Sequence, residues 1–439
     1  MIVRGGTLVT AEGLVRADLA TDGEQISAIA AELPGGSEEI DARGMMVLPG
    51  LIDAHVHFNE PGRADWEGAA TGSRALAAGG GTVFFDMPLN STPCTLTADL
   101  FQLKHDALAG TSVTDFGLWG GIVPGNREEL AGLAEAGVIG YKAFMADSGL
   151  PEFPRADDRT LYEGMRVAAE FGLTVAVHAE NHELVGHRGT GTTIRDFLQS
   201  RPVLAEVEAI QRASLLAREA GAKLHIVHIS SGPGIRAALE ARALGTDISI
   251  ETCPHYLYFT DEDMVRIGAV AKCAPPLRAA TDRDALRSAV LRGEVDIVGS
   301  DHSPAPLSMK CQENFFEVWG GIAGVQSTLA VLMNEPGVTL TRITEMTATN
   351  PAARFQVARK GRLAVGYDAD FCIVDADATH TVTRESLFQR HGLSPYVGST
   401  FRGSVRRTVL RGQTIFEDGK IAGSPRGKMI LHAKSGIYA

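Results

Sequence analysis

The spacing of apolar and polar residues changes twice along the chain. The first stretch, "MIVRGGTLVT", "ISAIAAEL" and "EEIDARGMMVLPG", alternates with the period of two expected of short strands, and Gly and Asp break the alternation into turns. From about residue 50 to about residue 350 the pattern becomes one of eight apolar, β-branched runs: "LIDAHVHF", "GTVFFDMP", "DFGLWGGI", "GVIGYKAFM", "LTVAVHAE", "KLHIVHIS", "DISIETCPH" and "VDIVGSD". Several are separated by stretches of helical period, among them residues 155–172 and residues 203–221, the second closed by Gly221. This is the rhythm of repeated βα units and predicts a parallel α/β fold, a (β/α)8 barrel. An extra apolar piece, "GAVAKCAPPLR", is expected to be a loop or short strand. Near the end, "DADFCIVDAD" and "SVRRTVLRGQTIFEDGK" return to strand alternation.

Neither end is long enough to bury a core alone. The expected arrangement is therefore one small β-sandwich domain built from residues 1–49 and 360–439, with the barrel, 50–359, inserted between them. The length agrees, since 439 residues exceed the roughly 250–300 that one core accommodates.

Composition narrows the function classes. With 44% hydrophobic and 21% charged residues the chain is globular rather than disordered. A net charge of −12 without a basic run speaks against a nucleic-acid partner. No stretch approaches the ~18 apolar residues of a membrane span, and the start lacks a signal-type apolar core, so a cytoplasmic location without membrane contact is expected. The five cysteines form no CxxC pair and are read as free thiols.

Candidate chemistry begins at "GLIDAHVHFNEPG". Residues two apart on a strand share a face, so His55 and His57 would aim both imidazoles at one point, as metal ligands or as a buried hydrogen-bonded pair. Lys142, His178, His228 and Asp301 each fall at or near the C-terminal end of another run. The steps from 142 to 178 and from 178 to 228 are single βα units, and the six residues occupy strands one, four, five, six and eight. Barrel enzymes build their sites at that face. A buried, unpaired Lys142 ammonium would be costly. Four neutral histidines and one aspartate offer little negative charge to two divalent cations, whereas a CO2-derived carbamate on Lys142 and a bridging hydroxide would bring the site to about +1. A single ion held by His55, His57 and Asp301, with Lys142 as a neutral base, is the alternative.

The segments "HVHFNEPG", "YKAFM", "VAVHAEN", "IVHIS", "ETCPHYL" and "SDHSP" resemble the amidohydrolase superfamily, in its cyclic-amidohydrolase branch of allantoinases, dihydroorotases and hydantoinases, over essentially the whole chain. The resemblance implies two divalent ions, usually Zn2+ although Co2+, Mn2+ or Fe2+ suit the same ligands. His55, His57, Lys142 and Asp301 would hold one ion, and carboxylated Lys142, His178 and His228 the other. It further implies a bridging hydroxide as nucleophile, Asp301 as general base and then general acid, and a homo-oligomer, a tetramer.

Two positions bear on the substrate. Dihydroorotases carry an arginine where this chain has Asn59, and hydantoinases and dihydropyrimidinases a tyrosine where it has Asp147. An uncharged, amide-rich ring suits Asn59 better than a carboxylated one. "FDMPLNSTP", "KCAPPLR", "FFEVWGGIAGVQ" and "SPYVGSTFRG" resemble the allantoinase group, which implies hydrolysis of the hydantoin ring of (S)-allantoin to allantoate in purine breakdown. Expected substrate contacts are Asn59, Asn90 and the backbone of Gly321 and Ile322. Asn90 could equally cap its turn, Asp147 could be a solvated loop acid, and His255 could line the pocket or make a structural hydrogen bond. His302 should face away from the metals, Trp319 reads as a lid or packing residue, and His105, His182, His187, His225, His380, His391 and His432 show no partner pattern. A broad hydantoinase and a non-catalytic scaffold on the same fold are the competing readings.

Overall fold

A computed structural model describes residues 1–36, 38–186 and 191–432; His187 lies outside them. Eight strands form one parallel sheet in chain order: Leu51–Val56, Gly81–Asp86, Asp115–Gly121, Gly140–Phe144, Thr174–His178, Lys223–Ile226, Ile248–Thr252 and Ile297–Val298. Each lies in one of the eight apolar runs. The runs are nearly unbroken because helices cover the outer face while side chains fill the interior, leaving almost no strand position in water.

The last strand is only two residues long, and the sheet closes by other means. Val56 and His302 form an isolated parallel bridge, and the His57 N–H donates to the His302 carbonyl at 2.7 Å. Asp53, inside the first strand, accepts the backbone N–H of His55 at 3.2 Å and of Ser300 at 3.0 Å. Burial raises its carboxyl to about 6. The seam is thus stitched beside the residues that follow both strands.

The two helical stretches read from the sequence are the helices Asp158–Glu170 and Val203–Ala220. Asp157 caps the first by accepting the Thr160 N–H at 2.8 Å, and Gly221 ends the second in the left-handed region at φ 68. Residues 268–278 form a loop with one short 3-10 turn, Ala269–Ala271. Among the described residues no helix is long and apolar enough to cross a membrane.

The chain ends build a nine-stranded sheet, the small β-sandwich domain, joined where Met46–Pro49 pairs antiparallel with Phe371–Thr381. It encloses its own core, including Val3, Leu8, Leu19, Val47, Phe371 and Val409. A buried ion cluster fastens it to the barrel. The Lys360 amine lies 2.8 Å from Asp115, at the start of the third barrel strand, 2.6 Å from Asp370 and 3.1 Å from Asp368. Arg411 also pairs with Asp115. Burial alone would lower the Lys360 amine, but Asp370, Asp115 and Asp368 overcome it and hold it above its ordinary value. Removing the cation strands buried carboxylates, which costs more than the pair itself contributes. Lys360→Met is expected to lower the free energy of unfolding by about 3–5 kcal/mol in urea melts.

Candidate metal and active site

Inward-facing side chains at the C-terminal ends of the barrel strands converge on one point. His55 is the fifth residue of the first strand and His57 lies one past its end. Their Nε2 atoms stand 3.2 Å and 3.4 Å from Asp301 Oδ1. These three side chains offer ligand atoms within 4.8 Å of one another, a group that could hold a metal ion. Beside them, His178 ends the fifth strand and its Nδ1 is 3.0 Å from His228 Nε2. The His55 and His228 ring centres are 5.5 Å apart, so the two groups adjoin. Lys142, in the middle of the fourth strand, has no exposed surface, and its amine has no hydrogen-bond partner among the described residues. It sits 5.1 Å from the Phe144 ring, which stacks on His178 at 4.4 Å.

The protonation states follow from the neighbours. Glu251, on the seventh strand, is fully buried; Oε1 lies 2.8 Å from His55 Nδ1 and Oε2 3.0 Å from His225 Nε2. Burial pushes its carboxyl up, yet His55 and His225 outweigh that and hold it at about 2. An ionised carboxylate only accepts, so the proton of His55 must sit on Nδ1, and Nε2 presents a lone pair to the Asp301 carboxylate. Burial raises the Asp301 carboxyl, and positive charge on His55, His57 and His228 would hold it well below the usual carboxylate range; with those imidazoles neutral, that charge has to come from a cation. Two acceptors facing each other at 3.2 Å repel unless a cation lies between them. That opposition fits a divalent metal, as does the neutral state that burial imposes on His55, His178 and His228.

Glu180 repeats the arrangement on the other side. It accepts from His178 Nε2 at 2.9 Å, pairs with Arg201, and is held at about 2 against its burial by Arg201 and His178. This leaves His178 Nδ1, 3.0 Å from His228 Nε2, as the unprotonated nitrogen that could face a metal. Burial lowers the Lys142 amine to about 8. A share of roughly one tenth is then neutral at pH 7, against a negligible share for an ordinary lysine.

Backbone strain is concentrated here. Eight described residues other than glycine have positive φ, and four of them are Asn59 (65), Asn90 (69), His228 (43) and Asp301 (46). Such conformations cost of order 1–3 kcal/mol each and persist where the surroundings over-determine them.

A cavity of about 490 Å³ opens over the group, lined by His55, His57, His178, His228 and Asp301, and by Asn90, Asp147 and Gly321. Asn59, Lys142 and Ile322 do not line it. Asn59 Nδ2 donates to the Pro304 carbonyl at 3.3 Å while its Oδ1 is buried without a partner among the described residues. Asn90 Nδ2 donates to Ser303 Oγ at 3.3 Å. The Gly321 N–H is spent on the Lys272 carbonyl at 2.7 Å, and the Ile322 carbonyl accepts the Ser303 N–H at 2.9 Å. Asp147 accepts the Gly149 N–H at 3.0 Å. His255 is buried with Nε2 unpartnered and lies off the cavity. His302 turns aside, accepting the N–H groups of Gly324 and Val325 at its Nδ1. Glu251, Glu180 and Asp53 were not singled out in the sequence; their signal is an acid within or directly after an otherwise apolar run.

Residues 46–415 match the amidohydrolase family model. The chain is 61% identical to an allantoinase of Solibacter usitatus, covering 100% of this chain and 98% of that one. It is 52% identical to an allantoinase of Rubrobacter xylanophilus, covering 98% and 97%. Among solved structures, the L-hydantoinase (dihydropyrimidinase) from Arthrobacter aurescens superposes with a TM-score of 0.94 at 32% identity, covering 98% of this chain and 99% of that chain.

Glu251 makes the sharpest local test of the metal group. Glu251→Gln keeps the volume but removes the charge that fixes the His55 tautomer. Metal affinity is expected to fall roughly 10–100-fold when chelator-stripped protein is titrated with Zn2+, with far-UV circular dichroism unchanged. Wild-type affinity in the variant would remove Glu251 from the site.

Proposed function

The chain belongs to the amidohydrolase family, and on that premise we propose that it is a metal-dependent cyclic amide hydrolase that opens the hydantoin ring of (S)-allantoin to give allantoate. The observation that carries the hydrolytic reading is the opposition of His55 Nε2 and Asp301 Oδ1 inside the group of His55, His57 and Asp301, with His178 and His228 adjoining it. The choice of ring rests on the allantoinases to which the chain is similar.

In this reading His55, His57, Lys142 and Asp301 hold one divalent ion and Lys142, His178 and His228 a second, with Zn2+ the best fit to the imidazole-rich donor set. Bound there, the ions lower the pKa of water and polarise a carbonyl. Lys142 serves both sites as a carbamate: its neutral amine adds to CO2, a C–N bond forms and the displaced proton leaves to solvent. Among the described residues no hydrogen-bond partner competes for that amine, and burial keeps part of it unprotonated.

Asp301 is placed to move the proton. As an ionised carboxylate beside His55 and His57 it would accept a proton from the attacking water and return it to the ring nitrogen as the C–N bond breaks. Without that proton an amide nitrogen leaves poorly. Asn90 and the main chain around Gly321, which line the cavity, are the proposed contacts of the ring, while Asn59 and Ile322 are held behind its wall. A homotetramer in the cytoplasm completes the proposal.

Three measurements test it. Purified protein supplied with Zn2+ and bicarbonate is expected to turn over allantoin with a higher kcat/KM than hydantoin, dihydrouracil or dihydroorotate; a preference for dihydroorotate, or no ring opening at all, overturns the assignment. Asp301→Asn should lower kcat by about 10²–10⁴-fold. Reactivation of metal-free protein at fixed dissolved CO2 should quicken as pH rises from 7 towards 8, because the neutral share of the Lys142 amine grows as its pKa of about 8 is approached. A rate independent of pH would count against the carbamate.

A further inference from the structure

The segment after the eighth barrel strand, residues 304–321, contains one three-residue 3-10 turn, Leu307–Met309, and otherwise no helix or strand of its own. Its last part nevertheless forms a wall of the cavity, through Phe316 to Gly321. A main chain in that position has carbonyl groups with no ladder to join, and each needs a partner when buried.

Two lysines supply the partners. Lys272 Nζ donates to the carbonyls of Phe315 at 2.7 Å, Phe316 at 3.1 Å and Val318 at 2.5 Å. Lys310 Nζ donates to those of Trp319 at 2.7 Å and Gly321 at 2.9 Å. Five of the seven carbonyls from 315 to 321 are therefore gathered onto two amines. Lys272 adds a backbone link, since its carbonyl accepts the Gly321 N–H at 2.7 Å. An ammonium carries three protons spread tetrahedrally and can draw in successive carbonyls around an irregular turn, much as a bound cation does.

Both lysines are buried, at 5% and 8% exposure, and every hydrogen-bond partner of either amine among the described residues is a main-chain carbonyl. A carboxylate partner would have accounted for them as an ordinary ion pair. Instead the Phe197 and Phe315 rings lie 4.7 Å and 5.2 Å from the Lys272 amine. Neither amine bonds to any residue of the His, Lys and Asp cluster, so the pair acts on the cavity wall and not on the reacting centre.

We propose that Lys272 and Lys310 are positioning residues that clamp main chain 315–321 into the cavity wall and thereby set substrate affinity rather than the rate of the chemical step. This rests on the reading that the cavity takes the cyclic amide. Methionine is close to lysine in length and volume but cannot donate, so it removes the clamp and leaves the packing.

The test compares Lys310→Met and Lys272→Met with the wild-type holoenzyme in steady-state kinetics, bound-metal content and hydrogen exchange of peptides covering 311–323. Expected are a KM raised at least about tenfold, a kcat within about threefold of wild type, unchanged metal content, and faster exchange in 315–321. A merely structural role would lower the melting temperature without separating KM from kcat. The proposal is overturned by an unchanged KM, by a kcat that falls together with metal content, or by unaltered exchange. Lys310→Met releases two carbonyls and Lys272→Met three, so the milder variant carries the test if the other does not fold. Wild-type exchange decides it if neither folds, since rapid exchange at Trp319 and Gly321 in the intact enzyme overturns the clamp. A wild-type enzyme that opens no cyclic amide overturns the functional reading instead, and the exchange comparison still separates a clamped segment from a free one.

Discussion

Once Glu251 is ionised it can accept hydrogen bonds but never donate one, and that restriction spreads outward through the site. It fixes the proton of His55 on Nδ1, which turns the Nε2 lone pair towards Asp301. It anchors the His228 N–H at 3.2 Å and His225 on its other oxygen, so one buried carboxylate sets the His55 side chain on the first strand and the backbone after the sixth. The charge that it and Asp301 bring into the barrel interior is tolerable only with positive charge between and beside the imidazoles. Fold and chemistry meet in that requirement.

The barrel supplies rigidity and the residues just past the strands supply aim. His57, His228 and Asp301 lie beyond the last paired residues of their strands, and two of them adopt left-handed backbone conformations. A regular strand would have carried them onward along the pleat. Leaving it early lets each side chain turn back over the barrel mouth, and the Asp53 bonds across the short eighth strand keep the two ends in register while it does so.

The eight strands and the His55, His57 and Asp301 group are legible in the sequence because both signals are local: apolar runs of strand length, and polar residues at the ends of the first and the last. What holds them in place is not local. Glu251 stands in a run that reads as core, and nothing nearby indicates that its partners lie 26 and 196 positions away. The left-handed backbone at His228 and Asp301 has no signature either, since neither residue is a glycine. The substrate contacts read from the sequence fare unevenly for the same reason. Asn90 and Gly321 face the cavity, whereas Asn59 and Ile322 are drawn behind its wall by bonds to Pro304 and Ser303.

The carbonyl clamp at 315–321 separates two properties that usually change together. A main-chain carbonyl is the same whichever amino acid bears it, so the path of the segment is written in Lys272 and Lys310 and not in its own side chains. Mutational drift within Phe316–Gly320 can then alter what the cavity displays while the loop retains its shape. Descendants of such a chain could acquire a different ring preference by single substitutions, without first passing through an unfolded or metal-free ancestor.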